Sequence, residues 1–244
     1  MRFADQVVLV TGSSSGIGAA SARLFAAEGA TVVVNSARSV EAGEEVAASL
    51  PSASYVQADI GDAGARKRLI DTAVERHGRL DVLVNNAGVT EVIPHHDLDA
   101  VTEDVFRRIF EVNVLGTFEL TKLALPHLKA AGRGVVINIS SVAGLRQVGS
   151  SIPYSVSKAA VNHLTKLLAN ACGPEVRVNA VAPGLIRTPW TKDWETMHDA
   201  MGSRAPLGRS GTADEVAEAV VDLAANEYLT GHVLVVDGGF ILRN

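Results

Sequence analysis

The sequence predicts an α/β fold, a doubly wound and mostly parallel sheet of seven strands built as a single domain. Three observations carry this prediction. Short β-branched runs recur along the chain, helix-like segments separate them, and the runs are nearly continuously apolar instead of alternating. Unbroken apolar strands are expected where helices cover both faces of a parallel sheet. At 244 residues the chain suits one large core of this kind.

The elements follow in order. Strands are expected at Val7–Val10, Thr31–Val34, Ser54–Gln57, Val82–Val84, Val135–Ile139, Arg177–Val181 and Val233–Val236. The first helix, Gly18–Glu28, is rich in alanine and ends against Gly29, a natural C-cap. Ala63–His77 sets Leu69, Ile70, Ala73 and Val74 at helical spacing and stops at Gly78. Thr212–Ala225 opens with Thr212 and Glu215 in capping-box order. The stretch Leu185–Arg209 has no clear strand and carries Pro189, Trp190, Trp194, Met197, Met201 and Pro206. It follows the C-terminal end of a strand, the edge where open α/β sheets bind ligands. It therefore reads as a substrate-covering flap, with a partner-contacting or peripheral helix as the alternative.

Composition excludes several classes. Hydrophobic residues make up 47% and charged residues 20% of the chain, as in ordinary globular proteins. A formal charge of −5 argues against nucleic acid as a partner. The single cysteine, Cys172, permits no intrachain disulfide and no cysteine-rich zinc site, and it reads as a small apolar filler. His95 and His96 have no partner at metal-ligand spacing, so no metal is expected and they read as solvated loop residues. No apolar run approaches the roughly 18 residues a bilayer span needs. The first residues lack a secretory pattern, so the cytoplasm is the expected location.

Residues Val8 to Gly18 read as a strand, a glycine-rich turn and a helix start. Gly12 permits a tight turn, Gly16 lets the backbone approach a pyrophosphate, and Gly18 allows close packing of helix on strand. Ser14, Ser15 and Ile17 fill the turn, and the unpaired N–H groups of the helix start face the phosphate charge. The sheet is thus expected to be of Rossmann type, holding a dinucleotide.

The order Thr11-Gly12-x-x-x-Gly16-x-Gly18 is followed by Asn85-Asn86-Ala87-Gly88, Asn113, Ser141, the pair Tyr154 and Lys158, Pro183-Gly184 and Asp237-Gly238-Gly239. This set resembles the short-chain dehydrogenase/reductase family, in its single-domain branch, from the first strand to the C-terminus. The resemblance implies an oxidoreductase that moves hydride reversibly between a nicotinamide dinucleotide and a ketone or secondary alcohol. It implies that Asp59 and Ile60 meet the adenine, that Asn86, Ala87 and Gly88 line the adenosine ribose, and that Ile186 and Thr188, after Pro183 and Gly184, reach the nicotinamide. Leu229-Thr230-Gly231 and the Asp-Gly-Gly end are similar to 3-oxoacyl-thioester reductases, though steroid, sugar and polyol dehydrogenases share that ending. A carbonyl substrate linked as a thioester would call for basic residues near the cleft, with Arg107, Arg108, Lys129, Arg133 and Arg146 as candidates. Tetramers are common in the family, so a homotetramer or homodimer is expected, paired through helices Asp104–Leu128 and Tyr154–Cys172.

Ser36 stands at the end of the second strand, where NAD-preferring relatives carry aspartate. A carboxylate there would repel a 2′-phosphate; serine does not, and Arg38 can pair with one. NADP(H) is the expected cofactor and NAD the alternative, since Ser14 and Ser15 occupy a turn that in many NADP-binding relatives holds a basic residue.

Tyr154 and Lys158 are one helical turn apart and share a face. A free tyrosine titrates at about 10. Bringing it to neutrality asks for roughly 4 kcal/mol, which a part-buried ammonium and a hydrogen bond can supply beside the charged nicotinamide. Tyr154 would then exchange the proton of the alcohol, and Lys158 would also hold the ribose, by resemblance. The family spacing to the tyrosine selects Ser141 over Ser140 as the hydroxyl that steadies the carbonyl oxygen. Asn113 resembles the asparagine whose backbone carbonyl positions a water connected to the lysine; a buried asparagine tying elements together is the alternative. A dinucleotide-sensing regulatory or scaffold protein on the same fold is a competing reading, and the complete set Asn113, Ser141, Tyr154 and Lys158 argues against it. Sugar-nucleotide epimerase chemistry is also disfavoured, because its glycine spacing and longer C-terminal substrate domain are absent.

Overall fold

A computed structural model describes residues 1–243. The strands are β1 (Val7–Val10), β2 (Thr31–Ser36), β3 (Ala53–Gln57), β4 (Val82–Asn85), β5 (Gly134–Ile139), β6 (Val176–Pro183) and, at the far edge, β9 (Val233–Val236). They form one seven-stranded sheet in the order β3-β2-β1-β4-β5-β6-β9, and every pairing is parallel. The order reverses between β1 and β4, which opens a crevice at the C-terminal strand ends. A two-stranded ribbon of β7 (Ile186–Arg187) and β8 (Gly211–Thr212) lies outside the sheet.

Every residue of β1, β4 and β5 is buried, because helices cover both faces. Val8 and Val10 join one core with Phe25 of α1 (Gly16–Ala27), Val46 of α2 (Val40–Ala48) and Val220 of α8 (Ala213–Ala225). Val7 and Leu9 point to the other, where α3 (Ala63–His77) supplies Leu69, α5 (Thr117–Ala130) supplies Leu120 and α6 (Ile152–Cys172) supplies Ala169 and Cys172. Strand alternation thus divides one apolar run between two cores. Local signals set several helix ends. Gly78 closes α3 in the left-handed region at φ 75°, and Thr212 and Glu215 form the expected capping box.

The expected single helix Asp104–Leu128 is corrected. It divides into α4 (Glu103–Phe110), a π-helical turn over Glu111–Gly116, and α5. Such turns slip the hydrogen-bond register by one residue and occur often at functional sites. The stretch 185–209 is not structureless: it contains β7, a short 3₁₀ turn at Pro189–Thr191 and α7 (Glu195–Arg204). Among the described residues no helix is long and apolar enough to cross a membrane, and no group of three or more His, Cys, Asp or Glu could hold a metal.

Candidate active site

A cavity of about 620 Å³ runs along the C-terminal strand ends. At one end lies the glycine turn. Gly12 and Gly16 have φ of 61° and 55°, a region other residues rarely adopt. A Cβ on Gly12 would sit 2.9 Å from the Ala87 Cα, so this position also needs glycine for close approach. Ser15 is the N-cap of α1, yet its side chain makes no cap bond, and the first turn holds no acidic residue. The N–H groups at this helix start therefore face the cavity with no carboxylate of their own turn to satisfy them, which suits a pyrophosphate. Ser14, Ser15, Gly16 and Ile17 line the cavity. Gly18 does not; a Cβ there would collide with the Gly12 carbonyl and the Asn86 amide. Its role is the close packing of helix on turn that its place in the motif leads one to expect.

Long-range bonds hold this turn in shape. Thr11 Oγ1 accepts the N–H groups of Asn86 and Ala87 at 3.0 Å each. Asn86 Nδ2 donates to the carbonyls of Thr11 and Gly12, so its amide braces the turn while the residue lines the cavity beside Ala87 and Gly88. Thr11 was not anticipated from the sequence, because its partners lie on another strand. At the end of β2 the Ser36 hydroxyl donates to the Ser39 carbonyl and meets the Tyr55 hydroxyl at 2.7 Å. Arg38 is exposed on the cavity rim, and among the described residues its guanidinium has no hydrogen-bond or ion-pair partner. Asp59 and Ile60 line the same end. Burial pushes the Asp59 carboxyl up, but the Gly61 N–H and Arg108 outweigh it and hold the group below its usual range.

The other end gathers the predicted polar group. Ser141 follows β5 and caps the short 3₁₀ turn Val142–Gly144, its hydroxyl accepting from the Ala143 N–H, and it lines the cavity beside Tyr154. Ser140 is distinguished from it, since its hydroxyl donates into α6 at the Lys158 carbonyl. Lys158 is 4% exposed, its Nζ 2.8 Å from the Ile139 carbonyl and 5.6 Å from the centre of the Tyr154 ring. A Cβ on Gly88 would come within 3.5 Å of that Nζ, so glycine here leaves room beside the amine. Burial pushes Tyr154 up to about 12, with the Ser141 bond opposing, and pushes Lys158 down to about 8. In the protein alone desolvation outweighs Ser141 and Tyr154 is protonated at neutral pH, whereas the expected lowering is for the site with the charged nicotinamide beside it.

Asn113 lies in the π-helical turn and does not line the cavity. Its amide accepts from the Val89 N–H and donates to the Val89 carbonyl and Ser157 Oγ. It clamps the loop after Gly88 to α6, while its own carbonyl accepts from Thr117. Pro183, Gly184, Ile186 and Thr188 complete the wall from β6. The stretch 185–209 covers this end, with Trp190 edge-on to Tyr154 at 6.4 Å between ring centres.

A parallel sheet with its glycine turn at the switch point, and half-buried Ser141 and Tyr154 with buried Lys158 facing it, define the class as dinucleotide-binding oxidoreductases. The chain belongs to the short-chain dehydrogenase/reductase family: the family model described as enoyl-(acyl carrier protein) reductase matches residues 12–241. The chain is 56% identical over 236 residues to the protein named "Granaticin polyketide synthase putative ketoacyl reductase 2" of Streptomyces violaceoruber, covering 96% of this chain and 95% of that one. It is 38% identical over 250 residues to the 3-oxoacyl-acyl-carrier-protein reductase of Thermotoga maritima, covering 99% and 100%. Among solved structures, the short-chain dehydrogenase/reductase of glucose/ribitol dehydrogenase type from Brucella melitensis superimposes with a TM-score of 0.91 at 31% identity, covering 98% of both chains. The protein is an oxidoreductase of this family, whose cofactors are nicotinamide dinucleotides.

Proposed function

We propose that the protein is an NADP(H)-preferring ketoreductase whose acid is Tyr154. The observation that carries this reading is the gathering of Ser141, Tyr154 and buried Lys158, its Nζ 5.6 Å from the Tyr154 ring centre, at one end of a cavity whose other end is the glycine turn. NADPH, when bound, supplies the hydride to the carbonyl carbon. Tyr154, protonated at neutral pH, donates its proton to the carbonyl oxygen as negative charge develops there. The Ser141 hydroxyl donates a second hydrogen bond to that oxygen and fixes its position. Lys158 holds the nicotinamide ribose and favours the phenolate once the proton has left. A water donating to the Asn113 carbonyl and linked to Lys158, as the family resemblance implies, would return a proton to the pair.

The ketoacyl reductases among the relatives support a carbonyl substrate carried as an acyl thioester. The stretch 185–209 is its flap, and two tryptophans with Met197 and Met201 suit a ring-shaped or apolar acyl chain. Subunits pair through α4, the π-helical turn and α5 that follow it, and α6. Phe106 on α4, Leu115 in the π-helical turn, and Val156 and Leu167 on α6 are exposed; sedimentation as a monomer would contradict this pairing. The test of function is NADPH consumption with a panel of 3-oxoacyl thioesters, cyclic ketones and enoyl thioesters. Turnover of ketones supports the reading; turnover of enoyl thioesters alone, or cofactor binding without any turnover, overturns it. Arg38 carries the cofactor preference. Arg38→Ala is expected to raise the KM for NADPH about tenfold and leave that for NADH unchanged, and equal effects on both would refute the assignment.

A further inference from the structure

We infer that His198 is a positioning residue that pins the flap over the reaction end of the cleft and so sets the affinity for dinucleotide and ketone. The inference rests on the proposed function for its kinetic consequences, but its structural content does not. His198 is 3% exposed. Helix α7, on which it sits, has no apolar stripe: His198 and Gly202 are its only buried residues. The helix is docked through this imidazole and through Met201, which packs against the cluster of Val142, Ala205 and Phe240.

Both ring nitrogens are engaged. Nδ1 lies 2.9 Å from Ser210 Oγ, where the flap rejoins the fold, and Nε2 lies 3.2 Å from Thr191 Oγ1. Thr191 in turn spends its proton on the Ile186 carbonyl at 2.7 Å and accepts the Thr188 N–H at 3.2 Å. A hydroxyl has one proton and two lone pairs, so with the Thr191 proton on Ile186 the His198 Nε2 is the donor to Thr191. Nδ1 pairs with the Ser210 hydroxyl, which also lies 3.4 Å from the His198 carbonyl. The pin therefore joins the start of the flap to its end. It also reaches the cofactor side, because a Cβ on Gly16 would touch the Thr188 side chain at 3.3 Å. Displacing Thr191 moves Thr188 away from the glycine turn and Trp190 away from Tyr154.

The chain has two tryptophans, Trp190 and Trp194, and both lie in the flap, so intrinsic fluorescence reports this element alone. The experiment compares wild type with His198→Leu, His198→Gln and Ser203→Ala, an exposed position on the same helix. Acrylamide quenching is read without cofactor, and the dissociation constant for NADPH, KM and kcat are read with it. His198→Leu is expected to red-shift the emission and increase quenching about twofold. It should also raise the NADPH dissociation constant and ketone KM about tenfold, the loss of two buried hydrogen bonds, with a smaller effect on kcat. Gln retains a donor toward Thr191 and is expected to recover most of the loss; Ser203→Ala should match wild type. Quenching and binding unchanged in His198→Leu would overturn the pin, as would a His198→Gln variant no better than Leu. If wild type turns over no ketone, the proposed function falls while the quenching comparison still decides for or against the pin.

Discussion

The wall carrying Ser141, Tyr154 and Lys158 and the wall carrying Trp190, Trp194 and His198 face one cleft but are anchored differently. The first is α6 laid on β5, with residues of α6 buried from Pro153 to Cys172 and the lysine amine bonded to a strand carbonyl. The second is a short helix whose buried side is one imidazole and a glycine, with Trp190 half open to solvent at 52%. The groups proposed to move protons are fixed by the core, where small displacements would be costly to catalysis. The groups proposed to meet the variable part of a substrate stand on an element with fewer core contacts, and such elements tolerate change. The relatives fit this division, since names as different as ketoacyl reductase and cis-4-hydroxycyclohexanecarboxylate dehydrogenase accompany chains alignable over nearly their whole length.

The sharpest way to break the comparison is at the fixed wall. Tyr154→Phe keeps the ring against Trp190 and removes only the hydroxyl. Turnover is expected to fall by about 10³-fold, while NADPH binding, followed by fluorescence titration, stays within about twofold. Residual activity near wild type would move the acid elsewhere in the cleft.

The same wall was the more legible in sequence, for a physical reason. Tyr154 and Lys158 share a helix face through spacing alone, and the turn from Gly12 to Gly18 is a local device between one strand and one helix. The second wall depends on bonds across the flap, such as His198 to Ser210, which no periodicity encodes. The π-helical turn was hidden too, because a one-residue slip within Glu111–Gly116 leaves the apolar spacing of a helix nearly intact. The degree to which burial raises Tyr154 was hidden for a related reason: residue types reveal the neighbouring cation, but burial is set by the folded cleft. Thr11 and Asn113 show both outcomes. The first was missed as a brace, and the second has an amide that clamps Val89 and Ser157, the tying role of the alternative reading.

Burial of Lys158 gives a second, smaller test. The unfolded chain releases the lysine proton at about 10.4, the folded protein at about 8. Between these values the unfolded chain binds more protons, so stability rises with pH through that window. Below about 8 the full cost of the buried ammonium remains. Lys158→Met, measured by urea unfolding, is therefore expected to be more stable than wild type at pH 7 by about 2 kcal/mol, after allowing for the lost bond to Ile139. The advantage should shrink as pH approaches 10. A pH-independent difference would mean that the amine is not desolvated and that the fixed wall is less tightly built than its geometry indicates.

The smallest expected effect lies on the other wall and tests whether it selects substrates. Trp190 offers an open aromatic face next to the reacting tyrosine. A ring-shaped ketone can stack there, at about 1 kcal/mol beyond simple burial, whereas a short acyclic ketone cannot reach both Tyr154 and the indole. Trp190→Ala is accordingly expected to lower kcat/KM for cyclic ketones about fivefold and to leave short acyclic ketones within about twofold. The loss should fall mainly on KM, because the indole contacts substrate before and during reaction alike. An equal loss on both classes, carried by kcat, would place Trp190 with Tyr154 as part of the fixed wall and erase the distinction between the two.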